Sequence, residues 1–443
     1  MKNKISYILC FLTLSLFILI FVQERTGVFQ LKKLNGVYYE PKKPALSLEN
    51  ILNNSYQDGI EKDLRFHFGF REIIIRLYNQ YMWDFYHRST NYTITVGKDN
   101  WLYGLNEVLN YYQSAMYNYT SDKEQMKRQL DLEAQRMYKV QNILGEYGVF
   151  IFVSLLPSKA FLFPEYLPDN PESEKEPYHA IAHFRQAFDS LGVNYIDVQK
   201  IFESQKGHVD YPLFPLTGMH WSYIAAEHSF DTILRYVEDK GKMNLHNFTI
   251  GEKYTAQPKH PDTDLEDIMN LLRPIKPNTH YYADVQTIDD STATYPRFIL
   301  IGDSYFWNIE GSIPLNTIFS SYQYWYYNST IYFDNAQNHT SKVDILKEIL
   351  KADIINLSYS PRQLYIFSNK FLPKALLYLT HDDDEIDSTL NVIAATLNDT
   401  PEEERMNKAK DMLFSDPEKY FEDLSKDGIP TTRNRRIQLI KNG

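Results

Sequence analysis

A Gly-Asp-Ser-Tyr turn at residues 302–305 and a His-Trp pair that begins at His220 could do covalent chemistry. The turn follows an apolar run, so Ser304 would lie at the end of a strand, where open α/β sheets hold their ligands. A serine hydroxyl becomes an effective nucleophile when a histidine takes its proton. Although Gly-Asp-Ser alone is also an ordinary turn, the two segments together predict a Ser304 nucleophile with His220 as its general base.

Four apolar runs would form the sheet that positions these side chains: residues 149–156, 193–198, 297–301 and 353–357. Segments with helical periodicity lie between or beside them, at residues 121–146, 176–191 and 222–240. Strands that alternate with helices are typical of an α/β fold with a mainly parallel sheet. We therefore expect Ser304 and His220 to meet at one edge of that sheet.

The composition limits the classes of partner and cofactor. The chain has 443 residues and a formal net charge of −11, which argues against nucleic acid as a partner. Phe, Trp and Tyr make up 15% of the residues, and such rings can stack on sugars as well as fill cores. The sequence has neither a Gly-rich phosphate loop nor clustered metal ligands, so we predict no metal site and no cofactor.

The first residues have the pattern of a membrane anchor. An apolar run at residues 5–22 follows Lys2 and Lys4, and it is just long enough to span a bilayer as a helix. The lysines place the short N-terminal side in the cytoplasm, and no small-residue cleavage site follows the run. The only cysteine is Cys10, which fits a bacterial envelope protein. We expect a single-pass protein of the bacterial inner membrane with its body in the periplasm.

The chain divides into four predicted regions. They are a membrane signal-anchor at 1–24, a stalk and helical N-terminal region at 25–92, an α/β domain at 93–375 and a helical C-terminal tail at 376–443. The tail has capping residues before prolines, at Thr400 and Ser415, which are typical of helix starts. Its charged segments and its lack of strand patterns predict helices that are exposed to solvent.

Four segments, in order, resemble those of the alginate O-acetyltransferase group of SGNH hydrolase-like proteins, the AlgX/AlgJ type. They are GKDNWLY at 97–103, PSK and FPEYLP within 157–168, TGMHWS at 217–222 and GDSY at 302–305. The similarity extends over roughly residues 55–365. It implies an SGNH-like catalytic domain at 93–375, a parallel sheet flanked by helices. The order is circularly permuted, because the histidine motif precedes the serine motif.

The resemblance also implies an activity. Proteins of this type transfer acetyl groups to polysaccharide hydroxyls outside the cytoplasm, and a multispanning membrane acyltransferase brings the acetyl groups across the bilayer. Carried over by position, Ser304 is the nucleophile that carries the acetyl group and His220 is the base. The expected function is an envelope exopolysaccharide O-acetyltransferase. A carbohydrate acetyl-esterase and a catalytically silent glycan-binding scaffold of a secretion complex are the alternatives.

One position departs from the family pattern. The family's acid lies two residues before the histidine, where this chain has Gly218. An acid normally holds the imidazole tautomer and stabilises the imidazolium. Asp197, at the end of a predicted strand, and Asp210, in a loop near His220, are candidates to replace it. A Ser-His dyad and an inactive glycan-binding site are the other two interpretations.

Residues beside the two motifs are candidates for binding a sugar. Trp221, Tyr305 and Trp307 flank the motifs, and Arg362 follows a predicted strand and could pair with a carboxylated sugar. Core packing and an ordinary surface arginine are the competing interpretations. The aromatic run at 322–327 alternates like a strand, so we expect it to pack mainly in the core.

Overall fold

The computed structural model describes residues 2–36, 39–112, 122–169, 179–276, 279–333 and 336–442. The chain forms two compact units. The first consists of Met1–Val96 and Thr263–Asn278, and the second of Gly97–Asp262 and Thr279–Gly443. No sequence pattern indicates that residues 263–278 join the N-terminal unit. Helices and strands are numbered below in chain order.

The first unit is mainly helical. Its elements are α1 Lys2–Thr26, α2 Leu48–Leu52, α3 Ser55–Phe66, α4 Arg71–Tyr86, β1 Ile94–Val96 and α11 Asp264–Met269. Within α1, the segment Lys4–Thr26 is long and apolar enough to cross a membrane, and its large apolar side chains are mostly exposed. The structure therefore has a helix where the sequence predicts an anchor.

The second unit contains the sheet. Its strands are β2 Leu102–Gly104, β3 Phe150–Leu155, β4 Tyr195–Asp197, β5 Phe248–Ile250, β6 Tyr254–Ala256, β7 His280–Tyr282, β8 Val285–Thr287, β9 Arg297–Gly302, β10 Ser321–Tyr326, β11 Thr330–Phe333, β12 Ala336–His339 and β13 Ile354–Tyr359. Its helices are α5 Leu105–Tyr111, α6 Lys123–Glu146, α7 Lys159–Leu162, α8 Ala180–Leu191, α9 Val198–Gln205, α10 Tyr223–Gly241, α12 Phe306–Glu310, α13 Ile345–Lys351, α14 Phe371–Thr380, α15 Asp383–Thr396, α16 Glu402–Ser415 and α17 Thr431–Asn442.

Seven strands form the main sheet, in the order β12-β11-β10-β9-β13-β3-β4. The five strands from β10 to β4 are parallel to their neighbours, and β11 and β12 add an antiparallel edge. The four predicted strand segments are β3, β4, β9 and β13, so the prediction of one mainly parallel sheet is confirmed.

Successive side chains of each strand point to opposite faces, and both faces of the sheet are covered by helices. On one face, Ile299 and Ile301 of β9 pack in a core with residues of α6, α8, α13 and α14. On the other face, Phe298 and Leu300 pack with residues of α9, α10 and α12. Burial on both faces explains why these strands are continuous apolar runs.

The C-terminal helices are part of this core, so the prediction of a solvent-exposed tail is wrong. Ile386, Leu390, Leu413 and Ile437 belong to the same buried cluster as the strand residues. Arg433 is also buried, and its guanidinium donates to Asp383 at 2.7 Å. The prediction gave weight to the charged residues of this segment and missed the apolar positions spaced one helical turn apart.

Candidate active site

The candidate site lies where parallel strands end. Ser304 follows β9, Tyr327 follows β10, Arg362 follows β13 and Lys159 follows β3. Because parallel strands place their carboxyl ends at one edge of the sheet, segments that are far apart in sequence meet there. His220 reaches the same place from the loop that precedes α10.

Ser304 and His220 are in hydrogen-bond contact. The Oγ atom of Ser304 lies 2.7 Å from Nε2 of His220, which is within the range for a nucleophile and its base. Ser304 is half-buried, and the His220 side chain is almost fully buried against the ring of Tyr305. When the imidazole carries its proton on Nδ1, Nε2 is the acceptor for the serine hydroxyl.

The neighbours of Ser304 fix the sharp turn that exposes it. An ideal Cβ on Gly302 would lie 2.3 Å from the Ser358 carbonyl oxygen, so only glycine fits between β9 and β13. The Asp303 carboxylate accepts hydrogen bonds from the Ser360 amide at 2.9 Å and from the Ser360 hydroxyl at 2.5 Å. It also accepts a bond from the Tyr305 amide at 3.3 Å. Asp303 therefore holds the turn that carries Ser304.

Two further polar side chains, Tyr327 and Arg362, lie at the site. The Tyr327 side chain lies near Ser304, and Nη2 of Arg362 donates to the Tyr327 oxygen at 3.4 Å. Burial raises the pKa of Tyr327, so the phenol keeps its proton. Burial alone would lower the pKa of Arg362, but nearby acidic groups, Asp303 and Glu107 among them, together outweigh it and raise that pKa. The site therefore combines a phenol donor with a cationic guanidinium.

A buried lysine organises the loop that carries His220. The Lys159 ammonium donates to the carbonyl oxygens of Pro215, Leu216 and Gly218, and to that of Leu102, at 2.7–2.8 Å. Lys159 is fully buried, so these charge-assisted bonds replace its lost hydration. The loop is thereby held two residues before His220.

The chain itself fills the space beside Gly218. An ideal Cβ at this position would lie 2.5 Å from the Asp262 carbonyl oxygen and 2.7 Å from Cγ of Pro215. Two tyrosines fix the segment that contains Asp262. The Asp262 carboxylate accepts a hydrogen bond from the Tyr282 hydroxyl at 2.7 Å, and the Tyr223 hydroxyl donates to the His260 carbonyl at 2.6 Å. A carboxylate at position 218 is therefore excluded sterically as well as absent from the sequence.

Gly218→Ala is expected to lower the free energy of unfolding by about 1–3 kcal/mol, because the added methyl group meets backbone atoms that are held in place. Gly218→Asp should destabilise at least as much and should not increase turnover of an acetyl ester. Urea denaturation measures the first effect. Gly145→Ala is the matched control, since its Cβ would enter open space and it should gain up to about 1 kcal/mol. Equal effects at the two glycines would contradict the steric argument.

The two aspartates predicted as replacement acids are engaged elsewhere. The Asp197 carboxylate pairs with Arg185 at 2.6 Å and 3.1 Å, and it caps α9 by accepting the Lys200 amide at 2.9 Å. Asp210 is exposed, and a hydrogen bond from Lys253 lowers its pKa. The prediction that Asp197 or Asp210 orients His220 is therefore corrected, because their carboxylates have a structural and a surface partner instead.

Asp197→Asn and Asp210→Asn are each expected to leave acetyl-ester turnover nearly unchanged, in contrast to the about 10⁴-fold loss on neutralising a triad acid. Asp197→Asn should lose about 1 kcal/mol of stability, because it breaks the ion pair with Arg185 and weakens the helix cap. Steady-state kinetics at a temperature well below unfolding separates the two effects. A large fall in kcat for a fully folded variant would restore that aspartate as a candidate.

Most of the aromatic candidates are core residues. Trp221 is fully buried, and its indole N–H donates to the Tyr305 carbonyl at 3.0 Å. Tyr305 is also buried, with its hydroxyl directed to the Met219 carbonyl at 3.3 Å. The prediction that these two rings bind sugar is therefore wrong. Trp307 is half-buried against Tyr324 and Tyr332, and with Arg362 it stays a candidate for substrate contact.

Three residues at the site are not among those that the sequence predicts to be there. Tyr327 ends an aromatic run that we expect to pack in the core, but the chain turns at this residue, with φ 48°, and its side chain lies near Ser304. In the sequence, Lys159 stands out only as part of the PSK segment within 157–168. Glu107 braces the Lys159 segment from α5 by accepting the Ser158 hydroxyl at 2.6 Å and the Ala160 amide at 3.2 Å. Tyr327 and Lys159 both follow the end of a parallel strand, and this position in the sequence could have indicated that they lie at the site.

Comparison with protein families supports the resemblance of the motifs. The family model described as the SGNH hydrolase-like domain of the acetyltransferase AlgX matches residues 94–309, which include both His220 and Ser304. The resemblance to this family is therefore confirmed over that range, narrower than the roughly 55–365 expected. No curated protein matches the chain.

Solved structures with a similar course of the chain include three proteins of low identity. The O-acetyltransferase domain of Pseudomonas putida AlgJ is 16% identical, with 62% of this chain and 92% of that chain covered and a TM-score of 0.41. Bacillus cereus PatB1 with a sulfonyl adduct is 14% identical, with 55% and 93% covered and a TM-score of 0.40. Pseudomonas aeruginosa AlgX is 13% identical, with 66% and 59% covered and a TM-score of 0.32.

Proposed function

We propose that this chain, through its AlgX-type SGNH hydrolase-like domain, transfers acetyl groups to hydroxyls of an envelope polysaccharide by way of an acetyl-Ser304 intermediate. The observation that carries the proposal is the 2.7 Å contact between Ser304 Oγ and His220 Nε2, inside the matched segment. A silent glycan-binding scaffold would not require a nucleophile and a base in hydrogen-bond contact, so the contact favours an enzyme.

The first half-reaction acylates the serine. Ser304 Oγ attacks the carbonyl carbon of an acetyl ester donor while Nε2 of His220 takes the hydroxyl proton. When the tetrahedral intermediate collapses, the bond to the donor oxygen breaks and His220 returns the proton to that leaving oxygen. The products are acetyl-Ser304 and the deacylated donor, and His220 is neutral again.

The second half-reaction repeats these steps with a sugar. Nε2 of His220 takes the proton of a sugar hydroxyl, whose oxygen attacks the acetyl carbonyl of acetyl-Ser304. Collapse forms the sugar acetate and returns the proton to Ser304 Oγ. If water attacks instead of the sugar, the product is acetate, so the esterase alternative differs only in the acceptor.

Both half-reactions pass through an oxyanion that needs fixed donors. The Ser304 amide is one candidate, and the Tyr327 hydroxyl near the serine and the Arg362 guanidinium bonded to it are two others. We assign them to stabilising developing negative charge or to holding an acidic sugar beside Ser304. Trp307 would offer the sugar a ring surface.

The same proposal includes a location and a donor partner. The segment Lys4–Thr26 would anchor the chain in the bacterial inner membrane with the body in the periplasm, as the flanking lysines favour. An anchored enzyme stays near a membrane acyltransferase that exports acetyl groups. The family resemblance is the basis for proposing both this partner and the polysaccharide acceptor.

A transfer assay tests the proposed function. The full chain in detergent is incubated with 4-nitrophenyl acetate and oligosaccharides of candidate envelope glycans, and the products are analysed by mass spectrometry. We expect acetylated oligosaccharide, at a yield that depends on glycan concentration. Acetate without any acetylated glycan would favour the esterase alternative.

The matched control is Ser304→Ala, which should produce no acetylated glycan. Transfer that is as fast with this variant as with the unmodified chain would contradict the acetyl-serine intermediate. Absence of both products, under conditions where a relative such as the AlgJ domain is active, would leave the glycan-binding scaffold as the better hypothesis.

A further inference from the structure

Helix α4 of the N-terminal unit has its polar side buried. Arg76 donates to the Lys33 carbonyl at 2.8 Å, Asn79 donates to the Met269 carbonyl at 2.7 Å and Gln80 accepts the Leu272 amide at 3.1 Å. These three side chains are buried, as is Trp83. Surface helices of soluble proteins bury an apolar stripe and expose a polar one, and α4 largely reverses that arrangement.

The opposite side of α4 carries large apolar side chains that the described part of the chain leaves exposed. They are 45–73% exposed and follow helical spacing along one face: Ile74, Leu77, Tyr78, Tyr81 and Phe85. We call these five residues the apolar face of α4. A contiguous apolar stripe of this kind usually marks a site of contact with another protein or with a membrane.

The start of α4 is packed against the membrane helix. An ideal Cβ on Gly69, in the turn before α4, would lie 2.1 Å from the Ile20 carbonyl oxygen and 3.0 Å from the Glu24 amide. The ring of Phe70 lies 5.6 Å from that of Phe29, and the Phe29 backbone is hydrogen-bonded to the Gln23 side chain. The first turn of α4 is therefore fixed beside the end of the apolar run at residues 5–22.

We propose that the apolar face of α4 lies in the lipid interface of the bilayer that α1 spans. A helix that starts at the level where α1 leaves the hydrocarbon cannot avoid the headgroup region if it runs along the surface. Two tyrosines among the five residues suit this position, because an aromatic ring enters the acyl boundary while its hydroxyl stays with the headgroups. Amphipathic helices bind membranes in the same way.

This second contact would change how the N-terminal unit is held. One spanning helix alone leaves the unit free to rotate about the axis of α1. With α4 also in the interface, the unit has two points of attachment and a fixed side toward the membrane. The exposed apolar area is then covered by lipid, which also explains why the polar side of α4 faces the protein.

Lipid-quenching fluorescence on the full chain tests the proposal. In a Cys10→Ser background, an environment-sensitive fluorophore is attached at Tyr81→Cys on the apolar face. A matched chain carries it at Glu61→Cys, an exposed position on α3 whose neighbour Arg65 is charged. Both are reconstituted in vesicles of phosphatidylcholine and phosphatidylglycerol, with and without spin-labelled lipid. We expect several-fold stronger quenching and a blue-shifted emission at position 81.

Equal, weak quenching at both positions in vesicles that carry the protein would overturn the proposal. So would a fluorophore at position 81 that is not quenched by spin-labelled lipid but self-quenches, together with disulfide-linked dimers of the unlabelled Tyr81→Cys chain, because a second copy would then cover the face. Protein that fails to float with the vesicles would refute the anchor itself. None of these measurements depends on acetyl transfer, so failure of the proposed enzyme activity would be recognised separately.

Discussion

Ser304→Ala is expected to reduce acetyl-ester turnover by about 10⁶-fold, the loss seen when a serine hydrolase loses its nucleophile. The reason is chemical: the variant removes the hydroxyl whose Oγ lies 2.7 Å from His220 Nε2 at the strand-end turn. His220→Gln should cause a loss of similar size, because the serine hydroxyl then has no base. Effects of residues that act as one unit are not additive, so the double variant should be no slower than either single one.

Intact-protein and peptide mass spectrometry provide a direct measurement of this first prediction. After incubation with an acetyl donor, the peptide that contains Ser304 should carry one added acetyl group in the unmodified chain. It should carry none in Ser304→Ala, and accumulation should be strongly slowed in His220→Gln. Ser320→Ala, at an exposed serine, is the control and should label like the unmodified chain. Labelling of Ser304 that does not require His220 would refute the assigned base.

Lys159→Met is expected to be the most destabilising single change near the site, by at least about 3 kcal/mol. Methionine has a similar volume but donates no hydrogen bond, so four buried carbonyl oxygens would lose their common donor. The loss of unfolding free energy is smaller than the sum for four separate hydrogen bonds, since the variant no longer has to bury an ammonium ion. The loop of residues 215–218 should also relax, and kcat should fall with it.

Denaturant unfolding of the full chain measures this second prediction, and Lys342→Met, at an exposed lysine, is the matched control. Lys159→Arg should also destabilise, because a planar guanidinium cannot replace an ammonium that is bonded to four converging carbonyls. A Lys159→Met chain with unchanged stability would show that the carbonyls find water instead. A chain that is stable but inactive would assign Lys159 to positioning His220 alone.

The sequence predicted the parts of the site that depend on local pattern. Ser304 follows a β-branched apolar run that could only be a buried strand, and His220 precedes a clear helix, so their meeting at one sheet edge follows from parallel topology. The strands of the sheet were predicted for the same reason. A run of apolar residues on both faces of a strand leaves few other structures.

The parts that failed depend on partners far away in the sequence. The sequence leaves Asp197 as a candidate acid, but in the structure its carboxylate forms an ion pair with Arg185 of the preceding helix. The sequence leaves Trp221 as a candidate for sugar binding, but in the structure its indole N–H donates to the buried Tyr305 carbonyl. Side-chain type does not distinguish a ring that packs in a core from one that faces a ligand. The polar partners that decide between these outcomes exist only after folding.

The close approach of the Asp262 carbonyl to Gly218 has an evolutionary consequence. An aspartate introduced at position 218 by a single codon change, where the resemblance implies an acid, would first create a collision, so that variant would be selected against before its carboxylate could help. The segment at residues 259–262 must be rerouted before an aspartate at 218 becomes neutral. Directed evolution for faster transfer should therefore accumulate changes around Asp262 and its neighbours Tyr223 and Tyr282 earlier than any change at Gly218 itself.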